Sequence, residues 1–121
     1  MIVYGIANCD TVKRARAWLD ERGTGYTFHD FKKAGVPQEH LDAWLRSAGW
    51  EVLLNRKGTT WRKLDAAVQA RVADAKSARQ LMLDQPSVIK RPVVEWDDGH
   101  ISVGFDAAQW GEDSRHRPIA R

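Results

Sequence analysis

Cys9, the only cysteine in the 121-residue chain, is the side chain best suited to nucleophilic chemistry. It follows a short β-branched and aromatic run at residues 2–6 and precedes a segment of helical periodicity that begins at Thr11. The sequence therefore predicts that Cys9 lies where the carboxyl end of a buried strand meets the amino end of a helix. Backbone N–H groups and the helix dipole at such a point stabilise an anion, so a thiolate there would be an activated nucleophile.

The same position admits a structural interpretation, because a free cysteine commonly packs as a small buried hydrophobe. Lys13, Arg14 and Arg16 follow Cys9 and could form a solvated helix face. Basic residues at a helix start oppose the dipole, which is mild evidence that the neighbourhood accepts an anion. One cysteine cannot form an internal disulfide, and this agrees with a reducing compartment.

The composition narrows the class of protein. A length of 121 residues with 43% hydrophobic and 29% charged residues is typical of one soluble globular domain. No apolar run is long enough to span a membrane, and the amino terminus shows no signal-peptide pattern, so we expect a cytoplasmic protein. The net charge of +3 is spread along the chain, which favours small anionic substrates or glutathione over direct nucleic-acid binding.

The pattern along the chain predicts a mixed α/β sheet. A helix closed by Gly23 joins the first strand to a second, parallel strand at residues 26–31, which makes a right-handed βαβ unit. Residues 31–35 are predicted to be a loop, Pro37 to open the next helix, and residues 61–85 to be helical with a break near 74–77. Strands at 93–96 and 101–103 flank a turn and predict an antiparallel hairpin.

The end of the chain is predicted to hold a short helix and a tail. Asp106 is expected to cap a helix that runs through Trp110. Residues 111–121 are polar and mixed in charge, and we expect a disordered tail. The order β-α-β, a helical middle, a β-hairpin and a last helix predicts a thioredoxin-like fold, with a mixed four-stranded sheet flanked by helices.

Three further residues could carry chemistry or shape the backbone. Pro92 interrupts a β-type run, and because proline cannot donate to a sheet ladder it indicates an edge, a bulge or a cis peptide. Arg56 follows an apolar anchor at residues 53–54 and belongs either to a solvated loop or to an anion site. His29 has no second candidate ligand near it in the sequence, so we expect a structural role.

Several segments resemble the ArsC/Spx family. They are the first-strand Tyr4, the loop Cys9, LLNRKGTTWRKL at 53–64 and SVIKRPVVEWDDGHISVGF at 87–105. Within that family the chain is most similar to the small YffB-like members, which are proposed glutathione-dependent thiol reductases related to arsenate reductases. The resemblance implies one thioredoxin-like domain over residues 1–110 with a helical insertion, and a cis peptide between Arg91 and Pro92.

The resemblance also implies roles for single residues. Cys9 matches the catalytic cysteine, and Arg91 and Arg56 match two anion-binding arginines. We expect Asn8 and the backbone N–H groups of Asp10 and Thr11 to stabilise the thiolate. No metal and no bound cofactor is implied. Since a lone thiolate cannot resolve its own intermediate, an outside thiol must do so, and glutathione is the expected co-substrate.

Two departures from the family narrow the function. Arsenate reductases coupled to glutaredoxin carry a third arginine where this chain has Gly104, which disfavours arsenate as the substrate. Spx regulators carry a second cysteine where this chain has Val12, so their redox switch is missing. Two hypotheses follow. One is a monothiol reductase acting on a disulfide or small oxyanion. The alternative is an Spx-like domain that docks on RNA polymerase or another partner without catalysis.

Overall fold

The computed structural model describes residues 1–112 and divides them into two compact units. Unit 1 comprises residues 1–30 and those from 91 onward, and unit 2 comprises Phe31–Lys90. The elements in chain order are β1 (Ile2–Gly5), α1 (Asp10–Glu21), β2 (Thr27–Asp30), α2 (Phe31–Ala34), α3 (Gln38–Ala48), α4 (Trp50–Leu53), α5 (Thr59–Lys63), α6 (Ala66–Arg71), α7 (Ala75–Asp84), a 3₁₀ turn (Pro86–Val88), β3 (Val93–Glu95), β4 (Ile101–Val103) and α8 (Ala107–Glu112).

Unit 1 is built on a mixed sheet with strand order β2-β1-β3-β4. β1 pairs in parallel with β2, and Tyr4 lies opposite His29. β1 also pairs antiparallel with β3, where Tyr4 lies opposite Val93, and β3 continues antiparallel to β4. The structure thus confirms the predicted four-stranded sheet, in which one parallel pair is joined to an antiparallel hairpin.

Helix α1 packs on this sheet through one apolar face, formed by Val12, Ala15, Trp18 and Leu19. The spacing of three and four residues places these side chains on a single stripe, which is why the segment folds as an amphipathic helix. Gly5, at the end of β1, has no positive φ and belongs to the strand.

An aromatic cluster closes the core of unit 1 around Trp110 of α8. The Trp110 ring meets Trp18, Trp96 and Phe105 edge to face, with centroid distances of 5.5, 5.0 and 4.7 Å. Asp106 Oδ1 accepts a hydrogen bond from the N–H of Gln109 at 3.1 Å, which confirms the predicted cap. The cap and the cluster together hold α8 against the sheet.

Truncating Trp110 is expected to destabilise the protein strongly. Its side chain is 3% exposed, and replacing a buried tryptophan by alanine typically costs about 3–5 kcal/mol of unfolding free energy. Urea denaturation of Trp110→Ala measures this loss. The matched control is Val52→Ala, whose side chain is 53% exposed and whose loss should stay below about 0.5 kcal/mol. A loss below about 1 kcal/mol for Trp110→Ala would show that α8 contributes little to the core.

Unit 2 is helical and has a core of its own. Its buried apolar residues are Phe31, Leu41, Trp44, Leu53, Leu54, Ala78, Leu81, Met82, Val88 and Ile89. An isolated antiparallel bridge joins Leu54 to Ile89 and ties the chain after α4 to the chain after the 3₁₀ turn. Asp42 on α3 accepts a 2.6 Å hydrogen bond from Nε of Arg79 on α7, which links these two helices.

Several predicted details of unit 2 were wrong or too coarse. Residues 31–34 form α2, where we predicted a loop, because Phe31 is buried and packs on Trp44 at 6.1 Å. The N-cap of α5 is Gly58. The helical stretch 61–85 contains the end of α5, then α6 and α7, so it has one break at residues 64–65 and a second that ends at Asp74. That residue accepts from the N–H of Ser77 in a capping box.

The predicted carboxyl-terminal tail can be compared with the structure only in part. Gly111 and Glu112 belong to α8, so the predicted tail begins two residues too early. The rest of that tail, 113–121, lies outside the described residues. The prediction of a single domain over 1–110 stays a prediction. Within residues 1–112, no helix is long and apolar enough to cross a membrane.

Candidate active site

Cys9 is the N-cap residue of α1 and has extended backbone angles, φ −123° and ψ 125°. Its carbonyl accepts the first helical hydrogen bond, from the N–H of Lys13 at 2.9 Å. Three residues separate it from the end of β1, and its side chain is half-buried. The structure therefore places the thiol as the sequence predicted, at the helix amino end next to the carboxyl end of a strand.

The surroundings of the thiol favour its charged form. Partial burial raises the pKa of Cys9 and is the largest single influence. The N–H of Val12, the Arg91 guanidinium through a hydrogen bond and its charge, and the N–H of Thr11 act in the opposite direction. Together they outweigh burial and hold the pKa of Cys9 below its ordinary value. No side-chain oxygen caps α1, so these N–H groups face the sulfur instead.

Val12 is the functional residue that the sequence analysis missed. We expected the N–H groups of Asp10 and Thr11 to stabilise the thiolate, but the contributing amides are those of Thr11 and Val12. The signal was available, because an N-cap side chain accepts from the second and third helical residues and not from the first. Asp10 is that first residue, and its side chain is exposed. Asn8 is exposed in the preceding turn, and its anion-binding role stays a prediction.

Arg91 reaches Cys9 because of the sheet register. Tyr4 on β1 pairs with Val93 on β3, so the next position along brings Pro92 opposite Gly5. Arg91 precedes Pro92 through a cis peptide bond, as the resemblance implies. Pro92 is fully buried, and its carbonyl accepts from the N–H of Gly104 at 2.8 Å. The antiparallel strand pair thereby carries a guanidinium to the amino end of α1.

Gly104 is constrained by its backbone. Its φ is +86°, in the left-handed region that L residues rarely adopt. This is the position at which the arsenate reductases of the resemblance carry their third arginine. An arginine at Gly104 would be strained in this backbone.

Arg56 belongs to unit 2, where it is exposed and held between two indole rings. Its guanidinium lies 5.2 Å from the ring centroid of Trp50 and 5.9 Å from that of Trp61. Asn55 Oδ1 accepts from the N–H of Lys57 at 3.1 Å and shapes the turn that presents Arg56. The planar guanidinium is thus pre-oriented for a carboxylate or oxyanion. Its action beside Cys9 stays a prediction.

Tyr4 and His29 pair across β1 and β2 and pack on each other. The Tyr4 hydroxyl donates to Glu95 Oε1 at 2.9 Å, and burial, followed by this bond and the Glu95 charge, raises the pKa of Tyr4. The His29 ring packs on Tyr4 at 5.1 Å, in keeping with the structural role expected for it. Within residues 1–112, no group of three or more His, Cys, Asp and Glu side chains could hold a metal ion.

Comparison with known proteins places this arrangement among relatives of arsenate reductases. A solved structure of a protein named YFFB (PA3664) is 50% identical, has a TM-score of 0.84, and the match covers 90% of this chain and 94% of that one. An arsenate reductase (ArsC) related protein from Brucella melitensis is 56% identical over 90% of this chain and 89% of its own, with a TM-score of 0.72. The fold is accordingly thioredoxin-like.

A transcriptional regulator is also similar in sequence, at lower identity. The global transcriptional regulator Spx 2 of Bacillus anthracis is 21% identical over 108 residues, which cover 88% of this chain and 80% of the regulator. The sequence pattern of the ArsC family matches residues 4–112, and this range includes Cys9, Arg56 and Arg91. With that match and the activated cysteine at the start of α1, the chain belongs to the ArsC family.

Proposed function

We propose that the protein is a glutathione-dependent thiol–disulfide oxidoreductase that uses Cys9 as a single nucleophile. The observation that carries the proposal is the joint action of the Val12 and Thr11 N–H groups and of Arg91 on the Cys9 sulfur. A thiol with a lowered pKa, half-exposed beside a cation, has the surroundings of a reactive cysteine. The arsenate reductase-related relatives support reductase chemistry for such a site.

The reaction then consists of two thiol–disulfide exchanges and needs no second cysteine in the protein. The Cys9 thiolate attacks the glutathione sulfur of a mixed disulfide, the S–S bond breaks, and the substrate sulfur leaves as a thiolate with the electron pair. Cys9 is now disulfide-linked to glutathione. A second glutathione thiolate attacks the glutathione sulfur of this intermediate and releases glutathione disulfide and the Cys9 thiolate. The net change converts the mixed disulfide and one reduced glutathione into the free substrate thiol and glutathione disulfide.

The cationic and amide groups support these steps. Arg91 and the N–H groups of Thr11 and Val12 stabilise the Cys9 thiolate both as nucleophile and as leaving group. Arg56, with its guanidinium held by two tryptophans, is proposed to bind a glutathione carboxylate, and Asn8 to contact the same anion. A thiol that must remain reduced between turnovers suits a reducing compartment, and we propose the cytoplasm.

A disulfide substrate fits better than arsenate. The backbone at Gly104 disfavours the third arginine that the resemblance associates with arsenate reduction. Two cations, Arg56 and Arg91, suffice for the carboxylates of a glutathionyl group. A small oxyanion is the second choice of substrate.

Turnover of a glutathione mixed disulfide tests the proposal directly. The protein is mixed with glutathione and 2-hydroxyethyl disulfide, and glutathione disulfide is recycled by glutathione reductase while NADPH consumption is followed. The expected result is turnover that saturates with glutathione and with the mixed disulfide. The same assay with arsenate should give little or no turnover. Absence of turnover with the disulfide would overturn the proposed function.

The alternative function is a docking domain without catalysis, and the similarity to Spx 2 favours it. In this case the chain would bind RNA polymerase or another protein through its surface. The two functions differ in what they require of Cys9, because a docking domain has no use for an activated thiolate. Val12 occupies the position of the second Spx cysteine, so no internal disulfide switch is open to this chain.

A further inference from the structure

Gly5 lies under the first turn of α1 at the point where a side chain would not fit. A Cβ built on Gly5 would lie 2.8 Å from Cγ2 of Val12 and 3.4 Å from its Cγ1. Real Cβ atoms essentially never come within 3.0 Å of another heavy atom. The backbone does not itself require glycine, because φ of Gly5 is not positive. The close helix contact is therefore the reason for glycine at this position.

The Val12 side chain cannot move aside to make space for a side chain at position 5. It is 0% exposed, so no solvent-filled space is open to its methyl groups. A β-branched side chain in a helix holds one strongly preferred rotamer, and both of its methyl groups already face Gly5. Any added atom at position 5 must therefore displace the backbone of the first turn of α1.

The first turn of α1 contains the groups that surround the Cys9 thiol. Cys9 is its N-cap, and the N–H groups of Thr11 and Val12 belong to it. Arg91 precedes β3, the strand that pairs antiparallel with β1 as far as Tyr4 opposite Val93, and its guanidinium hydrogen-bonds the sulfur. Gly5, the last residue of β1, therefore belongs to the strand pair that positions Arg91 and contacts the helix turn that holds the sulfur.

We propose that Gly5 is a positioning residue whose missing side chain sets the distance between Cys9 and Arg91. Because α1 packs closely on Gly5, the Cys9 sulfur, the Val12 N–H and the Arg91 guanidinium keep fixed positions relative to one another. This inference rests on the proposed function, because it explains how the thiolate of that function is held. It assigns Gly5 no contact with substrate.

The test compares Gly5→Ala with the wild type and with Gly25→Ala, a matched control whose added Cβ meets no atom within 4 Å. Iodoacetamide alkylation of Cys9 is followed from about pH 5 to pH 10, a range that spans the titration of ordinary thiols. We expect Gly5→Ala to react about three- to tenfold more slowly near pH 6, and its rate to approach that of the wild type at alkaline pH. Gly25→Ala should follow the wild-type profile. A Gly5→Ala profile equal to the wild type overturns the inference.

A double variant separates positioning from general destabilisation. Val12→Ala removes the methyl groups that meet position 5, so Gly5→Ala/Val12→Ala should react within about twofold of Val12→Ala alone. A purely structural role would lower the melting temperature and leave every alkylation profile unchanged. If Gly5→Ala does not fold, Val12→Ile crowds the same contact from the helix side and should slow alkylation in the same way. A normal rate for a folded Val12→Ile would contradict the inference.

The outcomes for the inference and for the proposed function are distinct. A reactive wild-type thiol without glutathione-dependent turnover contradicts the proposed function and leaves the positioning role of Gly5 standing. A wild-type thiol that titrates at its ordinary value contradicts both. A reactive and catalytically competent wild type with an unaltered Gly5→Ala contradicts the inference alone.

Discussion

Replacing Cys9 by serine is expected to abolish glutathione-coupled disulfide reduction, with kcat/KM reduced by about a thousandfold or more. The serine hydroxyl stays protonated near neutral pH and cannot form the mixed disulfide through which both exchanges pass. Because Cys9 is the only cysteine of the chain, no other side chain can take over this role. The measurement is the mixed-disulfide assay, with the rate corrected for direct reaction between glutathione and the disulfide.

Serine is close in size to cysteine, so Cys9→Ser serves as its own test of folding. Its circular dichroism and melting temperature should match those of the wild type to within about 3 °C, since the side chain is only half-buried. Mass spectrometry adds a second expectation, that oxidised glutathione adds one glutathionyl group to the wild type and none to Cys9→Ser. Retention of more than about a tenth of the activity by a folded Cys9→Ser would contradict a nucleophilic role for Cys9.

Removing the Arg91 guanidinium is expected to lower kcat/KM for the mixed disulfide by about ten- to a hundredfold near neutral pH. A hydrogen bond to a charged group contributes about 1.5–3 kcal/mol, which corresponds to this range of rates. Arg91 hydrogen-bonds the sulfur and places a positive charge beside it, so Arg91→Ala reduces the thiolate fraction at low pH. The deficit should therefore shrink as pH rises.

Two control variants distinguish the hydrogen bond from Arg91 to the Cys9 sulfur from the general effect of a nearby positive charge. Lys13→Ala removes a cation from the first turns of α1 that does not contribute to the lowered pKa of Cys9, and its rate should change by less than about twofold. Arg91→Lys keeps the charge but loses the planar fork, so its activity should fall between those of Arg91 and Arg91→Ala. Equal deficits for Lys13→Ala and Arg91→Ala would contradict a directed role for Arg91.

The parts of the fold that could be predicted from the sequence are those in which the local residue pattern agrees with the strand pairing and packing of the folded chain. The helical stripe of α1, the glycine-containing turn between β3 and β4, and the cap at Asp106 are short-range signals, and the structure confirms each of them. The placement of Cys9 could be predicted because the residue pattern changes from that of a strand to that of a helix between β1 and α1. The order of strands then left few possible topologies.

The missed secondary structure has one physical cause, which is that tertiary packing decides what a short segment does. Helix α2 has only four residues, too few to display periodicity, and it forms around the buried Phe31. The role of Gly5 depends on α1 in the same way, because an added Cβ would lie 2.8 Å from Cγ2 of Val12. The stacking of Arg56 on Trp50 and Trp61 likewise depends on how α4 and α5 fold.

The central claim is that the amino end of α1 and Arg91 together hold Cys9 as a thiolate. The most direct test is the pH dependence of iodoacetamide alkylation of Cys9 in the wild type and in Arg91→Ala. The lowered pKa predicts a wild-type profile with its midpoint below the ordinary cysteine value of about 8.5. Arg91→Ala should move that midpoint upward.

The two profiles should also cross. A thiolate of higher pKa is intrinsically more nucleophilic, so Arg91→Ala is expected to react more slowly than the wild type at low pH and as fast or faster above the ordinary thiol pKa. Upward displacement with crossing would establish an activated thiolate beside its cation. Coincident profiles with midpoints at the ordinary cysteine value, or a thiol that reacts only after unfolding, would contradict the account.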